Sequence, residues 1–542
     1  MFAHLNVVAT CVFVFFFVLV TIMGFLASRW KAADLGSIHE WGLGGGNFGA
    51  WITWFLLGGD LYTAYTVIAI PAVMYAIGAY GFFAVPYTII IYPFLYLTMP
   101  RLWAVSRKNG YFTAADFVLG RYGFRWLELA VALTGILATM PYIALQLVGM
   151  EKVINALGFS GEGLMQHAPI TVAFLILALY TYKSGLRAPA MIAFVKDTMI
   201  YVFIIAAVVI IPYQLGGFGK IFEAAGAAFD AKLAAKAVPA AGITLLPGQI
   251  GPYVTLAIGS AMALFMYPHA LTGTLAASSG RAIRANTMTL PAYSFVLGLI
   301  ALLGVMAIAA GIKSTNPQDA VPQLVLWAFP DWFAGFCFAA IALGALVPAA
   351  VMSIGAANTF TRNVWKPFVN PQMTPHEESV LAKLVSLLVK VGALLVIFFM
   401  PTKFALDLQL LGGMWMVQIF PAVILGLWTR WLSGPALLLG WAAGMIIGTS
   451  LSWGQTAWVP VHALKWDIPL IGHVDTGLGF AAYNGLTAVI ANVAVAFVFS
   501  LIIRPRAPDQ TSPGDYDDEA VAFAKAREAS ARLNLSLGAR GS

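Results

Sequence analysis

The feature that most constrains this sequence is a series of apolar segments that recur along nearly its whole length. Each is about 20 residues long, which lets a helix cross a hydrocarbon core of roughly 30 Å, whereas a transmembrane β-strand needs only about 10 residues. Segment length therefore predicts an all-α polytopic membrane protein. We count about thirteen segments, near 7–27, 47–76, 78–104, 124–150, 168–185, 190–213, 250–277, 287–312, 331–361, 379–400, 404–429, 433–452 and 478–503.

The composition supports a transmembrane domain over residues 1–504 and a polar tail over 505–542. Of the 542 residues, 61% are hydrophobic and only 10% are charged, against roughly 25% charged in soluble domains. The tail is predicted to be solvated and partly helical between Glu519 and Leu535, and the alternative is a regulatory contact. An alanine-rich stretch in the loop 214–247 is expected to form a short surface helix.

The formal net charge of +7 does not indicate a nucleic-acid partner, because Lys and Arg are concentrated in alternate loops. The positive-inside rule places those loops and the C-terminal tail in the cytoplasm, and the N-terminus outside. The opposite loops carry few basic residues, such as Lys152, Lys313 and Lys465. The basic loops carry Arg101, Arg107, Lys108, Arg121, Arg125, Lys183, Arg187, Arg281, Arg284, Arg362 and Lys366.

Two of the apolar segments are interrupted by residues that break helices. Gly58 and Gly59 precede Asp60 in the second segment, and Pro268 precedes His269 in the seventh. A carboxylate in hydrocarbon costs about 2.5 to 3.5 kcal/mol on insertion scales, so Asp60 is expected to face a cavity, an ion or a partner. The alternative is that it caps the half-helix after the glycines. Breaks five segments apart favour an inverted repeat of five plus five helices over about 47–452, with a midplane site.

Several functional classes lack their signatures in this sequence. There is no GxxxxGK[ST] phosphate loop, which disfavours an ATP-driven pump, and no TVGYG-like filter of a potassium channel. No HExxH motif or Cys/His cluster indicates a metalloenzyme. We therefore expect a transporter rather than an enzyme, with no cofactor beyond a coupling cation.

Four motifs, in order along the chain, resemble the sodium:solute symporter family over roughly Trp41 to Gly444. They are FTAADFVLGRYG (112–123), YKSGLRA (182–188) followed by Asp197, YPH (267–269) and LLGGMWMVQIFPAVILGLWTRW (410–431). The resemblance implies a leucine-transporter-type fold and secondary active symport by alternating access.

Within that family the sequence is most similar to the bacterial monocarboxylate permeases. The matching segments are GGDLYTAYT (58–66), PYIALQLVGME (141–151), MYPHALTG (266–273) and VPAAVMSIGAANTFTRNVWKPF (347–368). This implies uptake of short-chain acids such as pyruvate, lactate, acetate and propionate across a bacterial inner membrane. The implied partners are the substrate and the lipid bilayer, and a homo-oligomer is not required. The alternatives are a sodium-coupled symporter for an amino acid or another small polar solute, and a transporter-fold membrane sensor.

One departure from the family bears on the coupling ion. Sodium-dependent members carry two adjacent hydroxyl residues on the ninth span, and those positions align with Val347 and Pro348, which have no side-chain oxygen. A shifted alignment offers Ser353 or Asn358 instead. The sequence therefore favours H+ over Na+ as coupling cation. Candidate coupling-ion residues are Asp60, Asp197 and Ser353.

The candidate substrate-binding residues are polar side chains of the second, fourth, seventh, ninth and eleventh spans. Helical spacing prevents all four hydroxyl residues of the second span from facing one cavity. Each functional role has a structural alternative. The histidine could be a hydrogen-bonded core residue, and the glutamines could form hydrogen bonds between helices. Lys196 and Asp197 could form an interfacial pair. The candidates are Tyr62, Thr63, Tyr65, Thr66, Tyr142, Gln146, Tyr267, His269, Asn358, Trp415 and Gln418.

Overall fold

The computed structural model of the chain is mostly helical. It describes residues 5–30, 34–159, 167–235, 241–399, 405–452, 461–462, 465–468, 472–475, 481–503 and 509–519. The helices, α1 to α22 in chain order, are Val7–Leu26, Ile38–Leu43, Ala50–Gly59, Ile70–Ile77, Ala84–Asn109, Ala114–Tyr122, Arg125–Ala156, Ala168–Ser184, Arg187–Gln214, Phe218–Ala234, Ile250–Leu264, Pro268–Leu275, Gly280–Thr289, Pro291–Ala309, Ala320–Ala328, Asp331–Phe360, Lys366–Phe368, Pro375–Phe399, Ala405–Met416, Gly426–Trp428, Gly434–Ser452 and Asn484–Ile502.

Between α21 and α22 the described residues include four short strands. They form two antiparallel pairs, of β1 Val461–His462 with β4 Ala482–Tyr483 and of β2 Lys465–Ile468 with β3 Gly472–Asp475. The alanine-rich loop forms α10, which confirms the predicted surface helix.

Nine helical stretches of the described residues are long and apolar enough to cross a membrane, and a bent pair makes a tenth. Shorter apolar helices lie at Ala50–Gly59, Tyr65–Ile77 and Ala168–Ser184. A multi-pass helical membrane protein is therefore confirmed. The number of thirteen spans and the five-plus-five repeat remain predictions.

Both predicted helix breaks are present. In the second apolar segment α3 ends at Gly59, a turn follows, and a π-helical segment, Tyr65–Ala69, leads into α4. In the seventh, α11 and α12 are bent by 50°. Pro268 is the first residue of α12, the position where a missing N–H is tolerated and the fixed φ suits a helix. The proline thus starts a new helix instead of distorting an existing one.

Helix α16 forms the centre of the bundle, and nearly all of its residues are buried. It presents small residues to both breaks. A Cβ atom placed on Gly355 would lie 2.8 Å from the backbone nitrogen of His269, and one on Gly344 would lie 3.5 Å from the carbonyl oxygen of Tyr62. Small residues allow backbones to approach closely in membrane helices. The sequence of α16 therefore lets the two broken segments pack against one central helix.

The described part of the tail, 509–519, is docked rather than solvated, unlike the prediction. Asp509 lies 2.7 Å from an Arg121 guanidinium nitrogen, and Asp518 accepts two hydrogen bonds of 2.7 Å from Arg284. Tyr516 is buried, with its ring against Phe117. Carboxylates that meet the arginines of two separate helices, α6 and α13, together with one buried aromatic ring, explain the docking. The predicted helix beyond Glu519 lies outside the described residues.

Candidate functional site

The two helix breaks meet at a carboxylate and an imidazole. Asp60 lies directly after α3, and its Oδ2 atom is 3.3 Å from Nε2 of His269, the second residue of α12. The side chains are only 11% and 4% exposed. Asp60 Oδ1 is buried without a hydrogen-bond partner in the described part of the chain. The structure thus joins the two residues singled out from the sequence, and they form an ion pair when His269 is protonated.

Aromatic rings surround His269. The ring centres of Tyr142 and Tyr267 lie 5.7 and 5.2 Å from that of the imidazole and 5.6 Å from each other. Tyr65 packs edge-on against Tyr142. Among the described residues, the Tyr267 hydroxyl and His269 Nδ1 are buried without hydrogen-bond partners. Buried polar atoms are normally paired, so these two atoms are available to bind water or a polar solute.

A small cavity of about 40 Å³ adjoins this group, which is room for ordered water rather than for a whole substrate. Tyr142 and Tyr267 line it and separate it from His269 and Asp60, which are not part of its wall. Spans two, three, four, seven, eleven and thirteen contribute to the lining, whereas the prediction named two, four, seven, nine and eleven. The lining residues are Tyr65, Tyr87, Tyr142, Ser260, Ala263, Leu264, Tyr267, Leu410, Gly413 and Tyr483.

A second cavity, of about 20 Å³, lies at Pro268. Met266, Thr272 and, from α16, Thr359 contribute to its wall. The break in the seventh segment is therefore flanked by one cavity that contains Tyr267 and another that contains Pro268.

Other polar side chains form hydrogen bonds to the backbone N–H groups of the second segment. The Thr66 hydroxyl accepts a 2.7 Å hydrogen bond from the Thr63 N–H, and the side-chain amide oxygen of Gln146 accepts one of 2.9 Å from the Ala64 N–H. These side chains satisfy the first donors of the second half-helix, a role the sequence also allowed for Asp60. The turn between the two half-helices is therefore stabilised by Thr63, Thr66 and Gln146. Asp60 does not take part in this capping and faces His269 instead.

Lys196 and Asp197 are completely buried and lie 2.8 Å apart. The Lys196 ammonium donates to the carbonyl oxygens of Gly59 and, at 3.3 Å, of Tyr62. The Tyr293 hydroxyl donates to Asp197 at 2.7 Å. An interfacial pair near the end of the sixth span was the expected alternative, but α9 packs against α3 and places the pair at the break. Sequence reasoning missed the role of Lys196, although a lysine ten residues into an apolar helix was a usable signal.

Tyr62 belongs to this second group. Its hydroxyl donates to the Tyr293 carbonyl oxygen at 3.1 Å, and the two rings are 4.6 Å apart. Tyr293 was not selected from the sequence. Its ring occupies the space that a side chain at Gly58 would need, so the glycines before Asp60 admit Tyr293 and the Lys196–Asp197 pair.

The structure does not bring the two polar candidates of α16 to Asp60. Ser353 accepts a 3.1 Å hydrogen bond from Ser386, whose hydroxyl accepts one of 2.7 Å from Lys390. The Asn358 amide donates to the Gly42 carbonyl at 3.2 Å. These contacts connect α16 to α18 and to α2.

Two candidates of the eleventh span also face neighbouring helices. The Trp415 indole donates to Thr449 at 3.0 Å, and Asn492 donates to the Gln418 carbonyl at 2.8 Å. Both partners lie in the last two helices, α21 and α22. Hydrogen bonding between helices, the alternative considered for Gln418, is the arrangement observed.

Comparison with known proteins agrees with this architecture. The sodium:solute symporter family model matches residues 41–448. The "Monocarboxylate transport permease protein" of Rhizobium johnstonii is 56% identical over 93% of this chain and 99% of its own length. The "Uncharacterized symporter YodF" of Bacillus subtilis is 34% identical over 79% of this chain and 84% of its own length.

Among solved structures, a Na+-coupled sialic acid symporter in a substrate-bound outward-open state aligns with a TM-score of 0.73 at 13% identity. The alignment covers 93% of this chain and 99% of the symporter, and at that identity it supports the fold alone. The family match, the two relatives and the shared fold are those of transporters, not enzymes. The chain belongs to the sodium:solute symporter family.

Proposed function

We propose that this protein is a secondary active symporter that takes up short-chain monocarboxylates of the pyruvate, lactate, acetate and propionate class. The name of the 56% identical relative supports the substrate class. An inward cation gradient drives uptake, with H+ favoured over Na+. Transport proceeds by alternating access around the two broken segments.

The observation that carries the proposal is the Asp60–His269 pair at the junction of the breaks. A monocarboxylate bound about 4 Å from an ionised Asp60 would be repelled by about 4 kcal/mol at an effective dielectric near 20. Binding of the anion therefore favours a protonated Asp60 or a cation beside it. That preference couples substrate binding to H+ binding, and His269 at 3.3 Å is placed to exchange the proton.

The groups around His269 suit a small carboxylate. The Tyr267 hydroxyl and His269 Nδ1 are buried without partners among the described residues, and Tyr142 and Tyr267 lie between His269 and the cavity that they line. A hydroxyl or an imidazole N–H donates strongly to a carboxylate because the acceptor is charged. The aromatic walls match a short apolar substituent such as methyl or ethyl.

The proposed orientation rests on the positive-inside rule. Segment 509–519 contacts Arg121 and Arg284, so these basic loops and the tail lie on one face. We place that face in the cytoplasm, with the transmembrane domain over 1–504 and the polar tail over 505–542.

The test is uptake of labelled pyruvate, lactate, acetate and alanine into proteoliposomes under separately imposed H+ and Na+ gradients. We expect accumulation of the monocarboxylates under an inward H+ gradient alone. Sodium-driven uptake of alanine without monocarboxylate uptake would support the amino-acid alternative. Absence of all uptake and of counterflow would support the sensor alternative.

A further inference from the structure

We infer that Lys196 is a tethered cation that fills an oxygen site at the break of the second segment and thereby keeps Na+ out of it. The inference deepens the proposed function, because it names a residue that decides which ion the transporter uses. It concerns a group of oxygens that is separate from the Asp60–His269 pair.

The oxygen site has three members. The Lys196 ammonium donates to the carbonyl oxygens of Gly59 and Tyr62, which are three residues apart around the turn, and lies 2.8 Å from Asp197 Oδ1. Lys196 and Asp197 have no exposed surface. Carbonyl and carboxylate oxygens at a helix break are the donor types that hard cations prefer. The ammonium therefore occupies a place chemically suited to a metal cation.

The neighbouring residues leave space for the ammonium and form hydrogen bonds to its carboxylate partner. A Cβ atom on Gly59 would lie 3.0 Å from Lys196 Nζ and 2.9 Å from Asp197 Oδ2, so the glycine leaves room for both side chains as they stand. Tyr293 donates to the second oxygen of Asp197. A buried charge requires an oppositely charged partner and hydrogen bonds. Lys196 and Asp197 are each other's charged partner, the two carbonyl oxygens accept from Lys196, and Tyr293 donates to Asp197. The pair is thus a built site and not a lysine that merely extends toward the membrane surface.

A fixed ammonium excludes sodium in two ways. It uses the oxygens that would ligate the ion, and it repels a second cation. At about 4 Å and an effective dielectric near 20, the repulsion alone weakens cation binding by about three orders of magnitude. Removal of the ammonium leaves Asp197 and two carbonyls in a buried site without a compensating charge. Na+ would then be the simplest counterion.

The test uses the purified full-length protein without substrate. Binding of radioactive sodium and the thermal unfolding midpoint in NaCl against choline chloride are measured for wild type, Lys196→Ala, and Lys196→Ala combined with Asp197→Asn. Lys390→Ala is the matched control, because Lys390 is also buried in a helix but donates to Ser386, away from the break.

We expect no saturable sodium binding by wild type or Lys390→Ala. Lys196→Ala should bind sodium saturably and be stabilised by it, and loss of the Asp197 carboxylate should weaken that binding by about tenfold or more. If Lys196→Ala does not fold, the length-matched Lys196→Met is measured in its place.

Saturable sodium binding by wild type overturns the inference, as does a folded, neutral Lys196 variant that does not bind sodium. Because no substrate is present, a failure of monocarboxylate transport leaves these outcomes unaffected. The inference and the proposed function can therefore fail independently.

Discussion

At the scale of single residues, Asp60 has one oxygen near His269 and another without a partner among the described residues. Asp60→Asn keeps the shape and removes the proton site. We expect H+-driven accumulation of pyruvate to fall by about tenfold or more, while exchange of internal for external pyruvate continues. Proteoliposome uptake with and without a pH gradient measures both. Undiminished pH-driven accumulation by Asp60→Asn would contradict the role given to this carboxylate.

The Tyr267 hydroxyl is buried without a partner in the described residues. If it donates to the substrate, Tyr267→Phe should raise the apparent KM for pyruvate by about 10- to 150-fold, the usual range for a lost hydrogen bond to a charged group. The control is Tyr122→Phe, whose hydroxyl instead donates to the Ala422 carbonyl at 3.1 Å. The control should lower thermal stability and leave KM unchanged. An unchanged KM for Tyr267→Phe would assign its ring to packing alone.

Residue-level prediction from the sequence succeeded where a local signal exists. A charge in an apolar run selected Asp60, and a proline at a helix start selected the neighbourhood of His269. It did not distinguish the structural role of Gln146 from the functional roles of Asp60 and His269. Gln146 accepts a hydrogen bond from the Ala64 N–H, which is 82 residues away in the chain. The partner of a polar side chain depends on which helices pack together, and no local pattern encodes that.

At the scale of elements, the second segment breaks where Gly59 must admit the Lys196–Asp197 pair. Gly59→Ala places a Cβ atom within 3.0 Å of both side chains, so we expect a destabilisation of about 1 to 3 kcal/mol, typical of overpacking. Gly226→Ala in α10 is the control, because a Cβ atom there meets nothing within 4 Å. Reversible unfolding in mixed detergent compares the two variants. Equal stabilities would show that the break accommodates a methyl group.

The helix breaks and α10 were predictable because proline, glycine and alanine act through the backbone of their own segment. The surroundings of each break were not. Tyr293 and Lys196 reach the second segment from α14 and α9, and their approach is set by helix rotation. Hydropathy patterns place a residue within a span but leave its rotational position open in a helix that is apolar all round.

At the scale of the whole molecule, segment 509–519 connects helices that are distant in sequence, α5 and α6 with α13. Asp515 accepts from the Ser512 backbone and hydroxyl and, at 3.2 Å, from Asn109. Partial burial alone would raise the pKa of Asp515, but these hydrogen bonds outweigh it and hold the pKa below its usual value. Its contribution to docking is therefore complete above the ordinary Asp pKa of about 3.9 and is lost as the pH falls through the lowered value.

We therefore expect the tail to detach as the pH falls below about 4. Fluorescence anisotropy of a dye at the C-terminus measures this, with a fall in anisotropy on release. Asp515→Asn should remove part of the pH dependence, whereas Glu519→Gln, at an exposed position, should retain all of it. A titration that is identical in wild type and Asp515→Asn would contradict a role for Asp515 in docking.

The sequence by itself determined the class of protein, the family and the places where helices break. These properties depend on segment length, local backbone chemistry and motif order, all of which can be read within a few tens of residues. Only the tertiary structure decided that Lys196 meets the carbonyls of Gly59 and Tyr62 and that the tail docks on Arg121 and Arg284. Those contacts join residues more than 100 positions apart, and their geometry is fixed by the packing of whole helices.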